Sequence, residues 1–573
     1  MSLERAPLPA SPVPPRLTDG AATLTEALAT LVEQFPEFPC LTLLDRRGRE
    51  QSITLDALWT RARIVQTALV GHGLRPGGFA LLVMPTGAEL LAAYVGVMLA
   101  GGIPGLVATP SNRLADRSIY ARRIGSILRD AEAQVLVCDD ELVDLFASAD
   151  REVLGATRLL TPSGIPPSAV LAPIHPARGE TFVTVQYSSG STGAPKGVLL
   201  THRAVLNNVR AMRDGFGVTP ADVSVNWIPL YHDMGLVGAF LLPLLSGCPS
   251  VLIPTMDFMR DPALWLWAVH RYRGTLSWAP NFAYAICASR VADAELGGLD
   301  LSSWRVALNG AEPVLAPTIV AFAARFARHG FAPQAMTPVW GLAENVAAAT
   351  VHPIGAAPRV ETLDRQALAL RGVAEPTSAA GFATVAVGRC LPHCAVEIRA
   401  DDGRVLPARA VGAVWLQSNS LFEGYHRDAA ATALVLVDGW LNTGDRGYLA
   451  DGDLFFIARD KDLVVIGGEK YAPHDLETVI NQVEGVREGC AVVFGVLSEA
   501  RGTEDIAAVA ETKLTDAAAL DDLRQRIRAA LGAATGLGLR YVLLVPPGGI
   551  EKTTSGKLAR RATRARYADA FAE

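Results

Sequence analysis

The sequence predicts a large α/β protein: an N-terminal domain of layered α/β subdomains joined to a β-rich subdomain, and a small mobile C-terminal α+β domain. Three observations lead there. Helical and strand patterns alternate through the first long part of the chain. Short strands parted by Asp/Gly turns replace them at about 387–458. A charged segment, 459–462, then precedes a last compact unit.

The elements follow in order. Residues 55–71 place apolar side chains at helical spacing. Residues 79–84 form an apolar run closed by Pro85-Thr86-Gly87, a strand entering a turn. A helix over 89–99 comes next, and 124–130 followed by 134–137 repeats the helix-to-strand step. Two uncharged stretches, 90–108 and 235–256, have the length of a membrane span. Gly101, Gly102 and Pro104 break the first, and Pro243, Gly247, Pro249 and Pro254 break the second. Each therefore reads as a buried helix, a turn and a buried strand of a parallel sheet, with no stable membrane insertion.

In the β-rich part, strands are expected at 395–398, 412–417 and 453–458, with turns at Asp401-Asp402-Gly403 and Asp451-Gly452-Asp453. The stretch between Glu344 and Gly388 reads as a long connection without a full element, holding a short helical pattern over 363–370. The domain boundary falls at Asp460–Lys461, dividing 1–459 from 460–573, because an exposed charged segment between two packed units is where a hinge can sit.

Composition narrows the function. The chain has 573 residues, is half hydrophobic and only 19% charged, which excludes a disordered or fibrous class. Its net charge of −6 gives no reason to expect nucleic acid as a partner. Lys557, Arg560, Arg561, Arg564 and Arg566 make a basic cluster, read either as a solvated helix face or as a docking surface for an acidic partner. Of seven scattered cysteines, only Cys390 and Cys394 approach a ligand cluster, and they lack the second arm of a zinc site. An odd count without a disulfide framework, and an N-terminus without a signal-like apolar core, suit a cytoplasmic protein.

The strongest local signal is Tyr-Ser-Ser-Gly-Ser-Thr-Gly-Ala-Pro-Lys-Gly at 187–197, between apolar strands at 182–186 and 198–200. Its glycines and hydroxyls give a loop whose backbone N–H groups can approach a polyphosphate, and Lys196 adds charge. It is not a Walker A loop, since Lys196 is followed by glycine.

This loop resembles the phosphate loop of the adenylate-forming superfamily, which comprises acyl-CoA synthetases, peptide-synthetase adenylation domains and luciferases. Five more signatures follow in that superfamily's order: Pro-Leu-Tyr-His-Asp-Met-Gly at 229–235, Asn-Gly-Ala-Glu-Pro at 309–313, Trp-Gly-Leu-Ala-Glu at 340–344, Asn-Thr-Gly-Asp-Arg at 442–446 and Thr-Ser-Gly-Lys-Leu at 554–558. The resemblance spans about 22–567. It implies a fold of the kind described above, ATP and Mg²⁺ as requirements, and activation of a carboxylic acid as its adenylate. That chemistry brings together two anions that repel, so the site needs cations and a metal.

Residue by residue, the resemblance implies that Ser188, Ser189, Gly190, Ser191, Thr192, Gly193 and Lys196 cradle the phosphates and that Thr192 and Glu344 hold Mg²⁺. Asn309, Gly310, Ala311, Trp340, Gly341, Leu342 and Ala343 would bind the nucleotide, with Trp340–Gly341 and Gly310–Ala311 on the two faces of the adenine, and Asp445 and Arg459 would bind the ribose. Lys557, with His232 and Glu344, would carry the chemistry, and Asp460 and Lys461 would form the hinge. His232 stands where amino-acid-activating relatives carry aspartate, which argues against an amino-acid substrate. An apolar tail fits Met234, Gly235, Trp278 and Phe282 better.

Within the superfamily the chain is most similar to fatty acyl-AMP ligases, which pass the acyl group to the phosphopantetheine of an acyl carrier protein. The long stretch after Glu344 and Lys461 at the hinge support this branch. Gly-Gly-Glu at 467–469 resembles the acyl-CoA synthetases instead, so transfer to coenzyme A is the first alternative, ahead of an amino-acid adenylation module or a non-catalytic adenylate-binding relative.

Overall fold

The computed structural model describes residues 4–110, 117–147, 154–188, 196–466, 469–498, 503–553 and 556–571. The pattern at 55–71 forms the helix Leu55–Gly71, whose N-cap Thr54 accepts a hydrogen bond from the Ala57 N–H. It packs on the helix Ala88–Leu99 at a glycine. A Cβ on Gly96 would stand 2.9 Å from the Ala62 carbonyl oxygen. The two uncharged stretches become buried helix, turn and strand: Ala88–Leu99 with Ile103–Leu106, and the π-wound Met234–Leu241 with Leu242–Leu245 and Ser250–Leu252. Among the described residues, no helix is long and apolar enough to cross a membrane.

The βα units build two sheets. In one, Lys196–Thr201, Phe182–Ser188, Ile103–Leu106, Phe79–Val83, Val135–Cys138 and Arg158–Leu160 lie in that order, parallel except for the pair that flanks the phosphate loop. In the other, Ser224–Asn226, Leu276–Pro280, Val306–Gly310 and Met336–Gly341 are parallel neighbours. That sheet turns antiparallel at Ala348–Val351 and runs on through Phe382–Cys390, Asp453–Arg459, Trp440–Ala450, Gly412–Ser418 and Cys394–Arg399. Inward residues of both sheets share one continuous core with the helices Ala88–Leu99 and Met234–Leu241. The C-terminal unit packs the helices Pro473–Asn481 and Ala517–Thr535 on the sheet Ala491–Ser498, Thr503–Glu511, Leu539–Val545 around its own core of Leu476, Ile480, Leu523 and Ile527.

Two sequence expectations change. The Asn-Thr-Gly-Asp-Arg motif lies inside a strand, Trp440–Ala450, that the alternation pattern did not show. Gly444 sits at φ 71° and the register shifts between Arg446 and Gly447, so inward and outward positions fall out of step there. The stretch after Glu344 is not a connection without elements: it holds the strands Ala348–Val351 and Val360–Leu363 and a π-wound turn, Ala367–Arg371. The helical spacing at 363–370 is a strand end and a short turn. Both bring leucines, Leu363 and Leu368, into a cluster with Phe382, Tyr448 and Phe455.

The C-terminal unit leans on that same cluster through Leu463 and Ala472. Arg365, in the stretch after Glu344, donates to both Asp475 oxygens at 2.8 Å and to the Ala534 carbonyl at 3.2 Å. The chain between these two bodies is the short turn Asp460–Asp462.

An internal clamp secures the second sheet. Arg305 donates Nε and Nη2 to the two oxygens of buried Asp222 at 2.7 and 2.8 Å, and Asp222 also accepts from the Thr275 hydroxyl and the Thr219 N–H. Burial pushes the Asp222 carboxyl up, but these donors outweigh it and hold it below the ordinary carboxylate range. Its contribution to stability is therefore present above the unfolded pKa of about 3.9 and is lost as pH falls through the lower folded value. Arg305→Ala is expected to cost about 3 kcal/mol, because it leaves the carboxylate buried without its partner. Denaturation curves over a pH series should show the variant with a flattened acid limb.

Candidate active site

The phosphate loop hangs from an antiparallel ladder in which Ser188 lies opposite Lys196. Ser189, Gly190, Ser191, Thr192 and Gly193 fall outside the described residues. Lys196 closes the loop with its ammonium 4.7 Å from the centre of the Tyr425 ring and 4.0 Å from the Asp428 carboxylate. Tyr425 reaches this place because Gly424–Tyr425 adds to the edge of the strand Lys196–Thr201, Tyr425 opposite Val198.

Glu344 sits on a tight turn after the strand Met336–Gly341. Val346, β-branched, is held there at φ 67°, a costly conformation fixed by surrounding hydrogen bonds: Leu342 N–H to Ala347 O, Val346 N–H to Ala343 O, and the Asn345 amide to Ala348 O. Gly341 is required beside it, since a Cβ would lie 1.9 Å from the Ala347 carbonyl oxygen. The Tyr425 hydroxyl donates to Glu344 Oε1 at 2.8 Å. A partly exposed carboxylate, oriented by a hydroxyl and facing the cavity, is a hard oxygen ligand of the kind Mg²⁺ takes alongside substrate phosphates, so the residues fit that ion. Tyr425→Phe is expected to raise the Mg²⁺ concentration for half-maximal activity about tenfold, as loss of an outer-shell partner does. A magnesium titration of the reaction rate checks it.

Trp340 is buried with its indole N–H donating to Asp445 Oδ2 at 2.8 Å. Asp445 lies directly opposite Arg459 in the hairpin register, and Arg459 Nε is 3.6 Å from Oδ1. Burial, aided by the nearby Glu344 charge, carries the Asp445 carboxyl above its ordinary range despite Arg459 and Trp340. Asp460 and Lys461 line the cavity beside Arg459. Burial and the Arg459 charge lower the Lys461 pKa, offset in part by Asp462 and Asp445.

Lys557 comes from the far end of the chain. Its backbone is fixed by Thr553, whose hydroxyl accepts the Lys557 N–H and whose N–H donates to the Lys557 carbonyl. Nζ lies 3.0 Å from His232 Nε2, and His232 Nδ1 lies 2.5 Å from Asp233 Oδ1. With lysine as donor to Nε2, the imidazole N–H sits on Nδ1, facing Asp233. Burial pushes the Asp233 carboxyl up, but His232, Lys557 and the Met234 N–H bring it below the usual range. Burial pushes the Lys557 ammonium down, while Glu312 and Asp233 support its charge.

A cavity of about 1510 Å³ joins these groups and continues along the helix Asn281–Arg290. Phe282, Ala285, Ile286 and Ser289 form its wall at i, i+3, i+4 and i+7, one helix face about 10 Å long. Met234 and Trp278 line it too, and Trp278 closes over Gly238, where a Cβ would be 2.7 Å from the indole. Ala311, Leu342 and Ala343 also face the cavity.

Among the described residues, the sequence candidates Asn309, Gly310 and Gly235 do not line it. Asn309 is fully buried with its amide on Met336 Sδ at 3.8 Å. Cβ atoms on Gly310 and Gly235 would lie 2.5 Å from the Val339 carbonyl oxygen and 2.1 Å from that of Pro229. These residues support the walls by close backbone approach and do not form them. Sequence reasoning missed Tyr425, which is 81 positions from Glu344, and gave no role to Glu312 although it stands in the 309–313 signature.

Comparison with known proteins agrees with this architecture. The family described as AMP-binding enzyme matches residues 28–426. A Caulobacter vibrioides protein bearing an acyl-CoA synthetase name is 32% identical over 575 residues, covering 95% of this chain and 98% of that protein. A long-chain-fatty-acid–AMP ligase of Mycobacterium marinum is 31% identical over 558 residues, covering 91% and 93%. A structure from a study of fatty acyl-adenylate ligases of E. coli and L. pneumophila superposes with a TM-score of 0.90 at 31% identity, covering 97% of this chain and 100% of that one. With its signature motifs gathered on one cavity and the family match covering most of its length, the chain belongs to the AMP-binding enzyme family, as an acid-activating, adenylate-forming ligase.

Proposed function

We propose that the protein activates a fatty acid with ATP and passes the acyl group to the phosphopantetheine thiol of an acyl carrier protein. The observation that carries the first step is the seating of Lys557 beside His232, at the point where the channel along Asn281–Arg290 meets the nucleotide residues. There a carboxylate oxygen attacks the α-phosphorus of ATP, the bond to the bridging oxygen breaks and pyrophosphate leaves. Lys557 steadies the charge on the attacking carboxylate and the α-phosphate. Asp445 and Arg459 hold the ribose, and Lys196 with the loop from Ser188 to Gly193 holds the departing phosphates. Glu344 and the Thr192 hydroxyl would hold Mg²⁺, which would supply charge neutralisation on the polyphosphate.

In the second step the C-terminal unit turns about Asp460–Lys461, Lys557 departs, and the thiol sulfur attacks the acyl carbon, releasing AMP. The hold of Arg365 on Asp475 favours a carrier protein over coenzyme A as acceptor, because it resists a free swing of that unit. The test is a mass-spectrometric product assay with ATP, Mg²⁺ and a ladder of fatty acids. Acyl-adenylate that accumulates with coenzyme A but becomes acyl-carrier with a phosphopantetheinylated protein supports the reading. Efficient acyl-CoA formation replaces it with the coenzyme A alternative.

A further inference from the structure

Glu312 follows the Asn-Gly-Ala run and has no part in the mechanism above, yet it faces the same cavity as Lys557. Its position is set by another element. The backbone N–H of Phe282, in the first turn of the helix that walls the acyl channel, donates to Glu312 Oε1 at 2.6 Å. The ring of that same Phe282 meets the lysine loop. Gly556, immediately before Lys557, lies at φ 91°, and a Cβ there would be 2.8 Å from Phe282 Cζ. One residue thus holds the carboxylate through its backbone and supports the lysine loop through its side chain.

We infer that Glu312 and Phe282 form the seat of Lys557, with Glu312 a positioning residue that keeps the ammonium charged and aimed at the reacting carboxylate. The inference deepens the proposed function and rests on its assignment of Lys557. The electrostatics agree. Withdrawal from water opposes both charges, pushing Lys557 down and Glu312 up, and each is the foremost charged partner of the other. The remaining charged groups around the pair are few. Asp233 also supports the Lys557 charge and Arg459 opposes it, with His232 in contact at Nε2. Arg560 and Lys552 face Glu312. Arg560 is already engaged in two 2.6 Å hydrogen bonds to Glu477 and Lys552 Nζ lies on Cys490 Sγ at 3.8 Å, so Lys557, the foremost of the three, is the cation that Glu312 serves.

Removing the Glu312 charge lets the burial effect on Lys557 act with less opposition, so its proton is lost at lower pH. The test is competitive acetylation of Lys557 Nζ across a pH series, read by peptide mass spectrometry, in the full-length protein and in Glu312→Gln and Glu312→Asp. The Gln variant should move the labelling midpoint down by roughly half to one pH unit, and Asp should restore most of it. Acid-dependent pyrophosphate exchange should fall about tenfold at neutral pH, with its alkaline limb displaced in the same direction. An unmoved midpoint in Glu312→Gln overturns the seat, whatever happens to activity. A moved midpoint in a protein without fatty-acid-dependent exchange leaves the seat standing and overturns the fatty-acid reading. Thermal denaturation of each variant separates either result from unfolding.

Discussion

Lys557→Ala should lower fatty-acid-dependent pyrophosphate exchange by about 10²–10³-fold, the effect of removing one preorganised charge-stabilising donor. The same variant, given synthetic acyl-adenylate and carrier protein, should form thioester at nearly the wild-type rate. On the proposed two-step reading, the split arises because Lys557 serves the site while the C-terminal unit is docked with Nζ on His232. A step in which that unit has turned away does not use it. Equal losses in both half-reactions would mean that one arrangement serves both steps, and the proposed hinge at Asp460–Lys461 would have no catalytic task. His232→Ala should lose much less, since Glu312 and Asp233 still support the ammonium.

Arg365→Ala addresses the other side of the cycle. Arg365 and Asp475 are largely withdrawn from solvent, with side-chain exposures of 18% and 14%, and burial pushes the Asp475 carboxyl up despite the arginine. Breaking such a pair strands one charge and costs about 3–5 kcal/mol. Here part of that cost is relieved by undocking, so the balance between docked and free C-terminal unit should move by about 10–100-fold. Two readouts are expected together: faster proteolytic cleavage around 460–462, and acyl-CoA appearing where the wild type gives acyl-adenylate. Faster cleavage without acyl-CoA would show that acceptor choice lies in the acceptor's own binding surface and not in the restraint.

Much of this architecture was legible in the sequence because its signals are local. Gly341 and Gly310 occupy places where a Cβ would collide with backbone, so the motifs that contain them have little freedom to vary. The broken uncharged stretches gave both helix and strand, since prolines and glycines mark turns whatever the surroundings. The strand Trp440–Ala450 was hidden because a positive-φ glycine and a register shift erase the period of two. Tyr425 and Glu312 were hidden for a different reason. Tyr425 matters because an edge strand brings it beside Lys196 and Glu344, and Glu312 because a helix start 30 positions away donates to it. Neither relation has a local periodicity.

The double duty of Phe282 has a consequence for anyone redesigning this enzyme. Its ring borders the cavity in which we place the acyl chain and also bears on Gly556. Truncating it to admit a bulkier acid would enlarge the channel and loosen the catalytic loop together, so gained scope would come with lost turnover. Ala285 and Ser289 lie farther along the same helix face and away from that loop. Substrate range can be recut there while the chemistry is left alone, which divides the wall into a fixed inner end and an adjustable outer one.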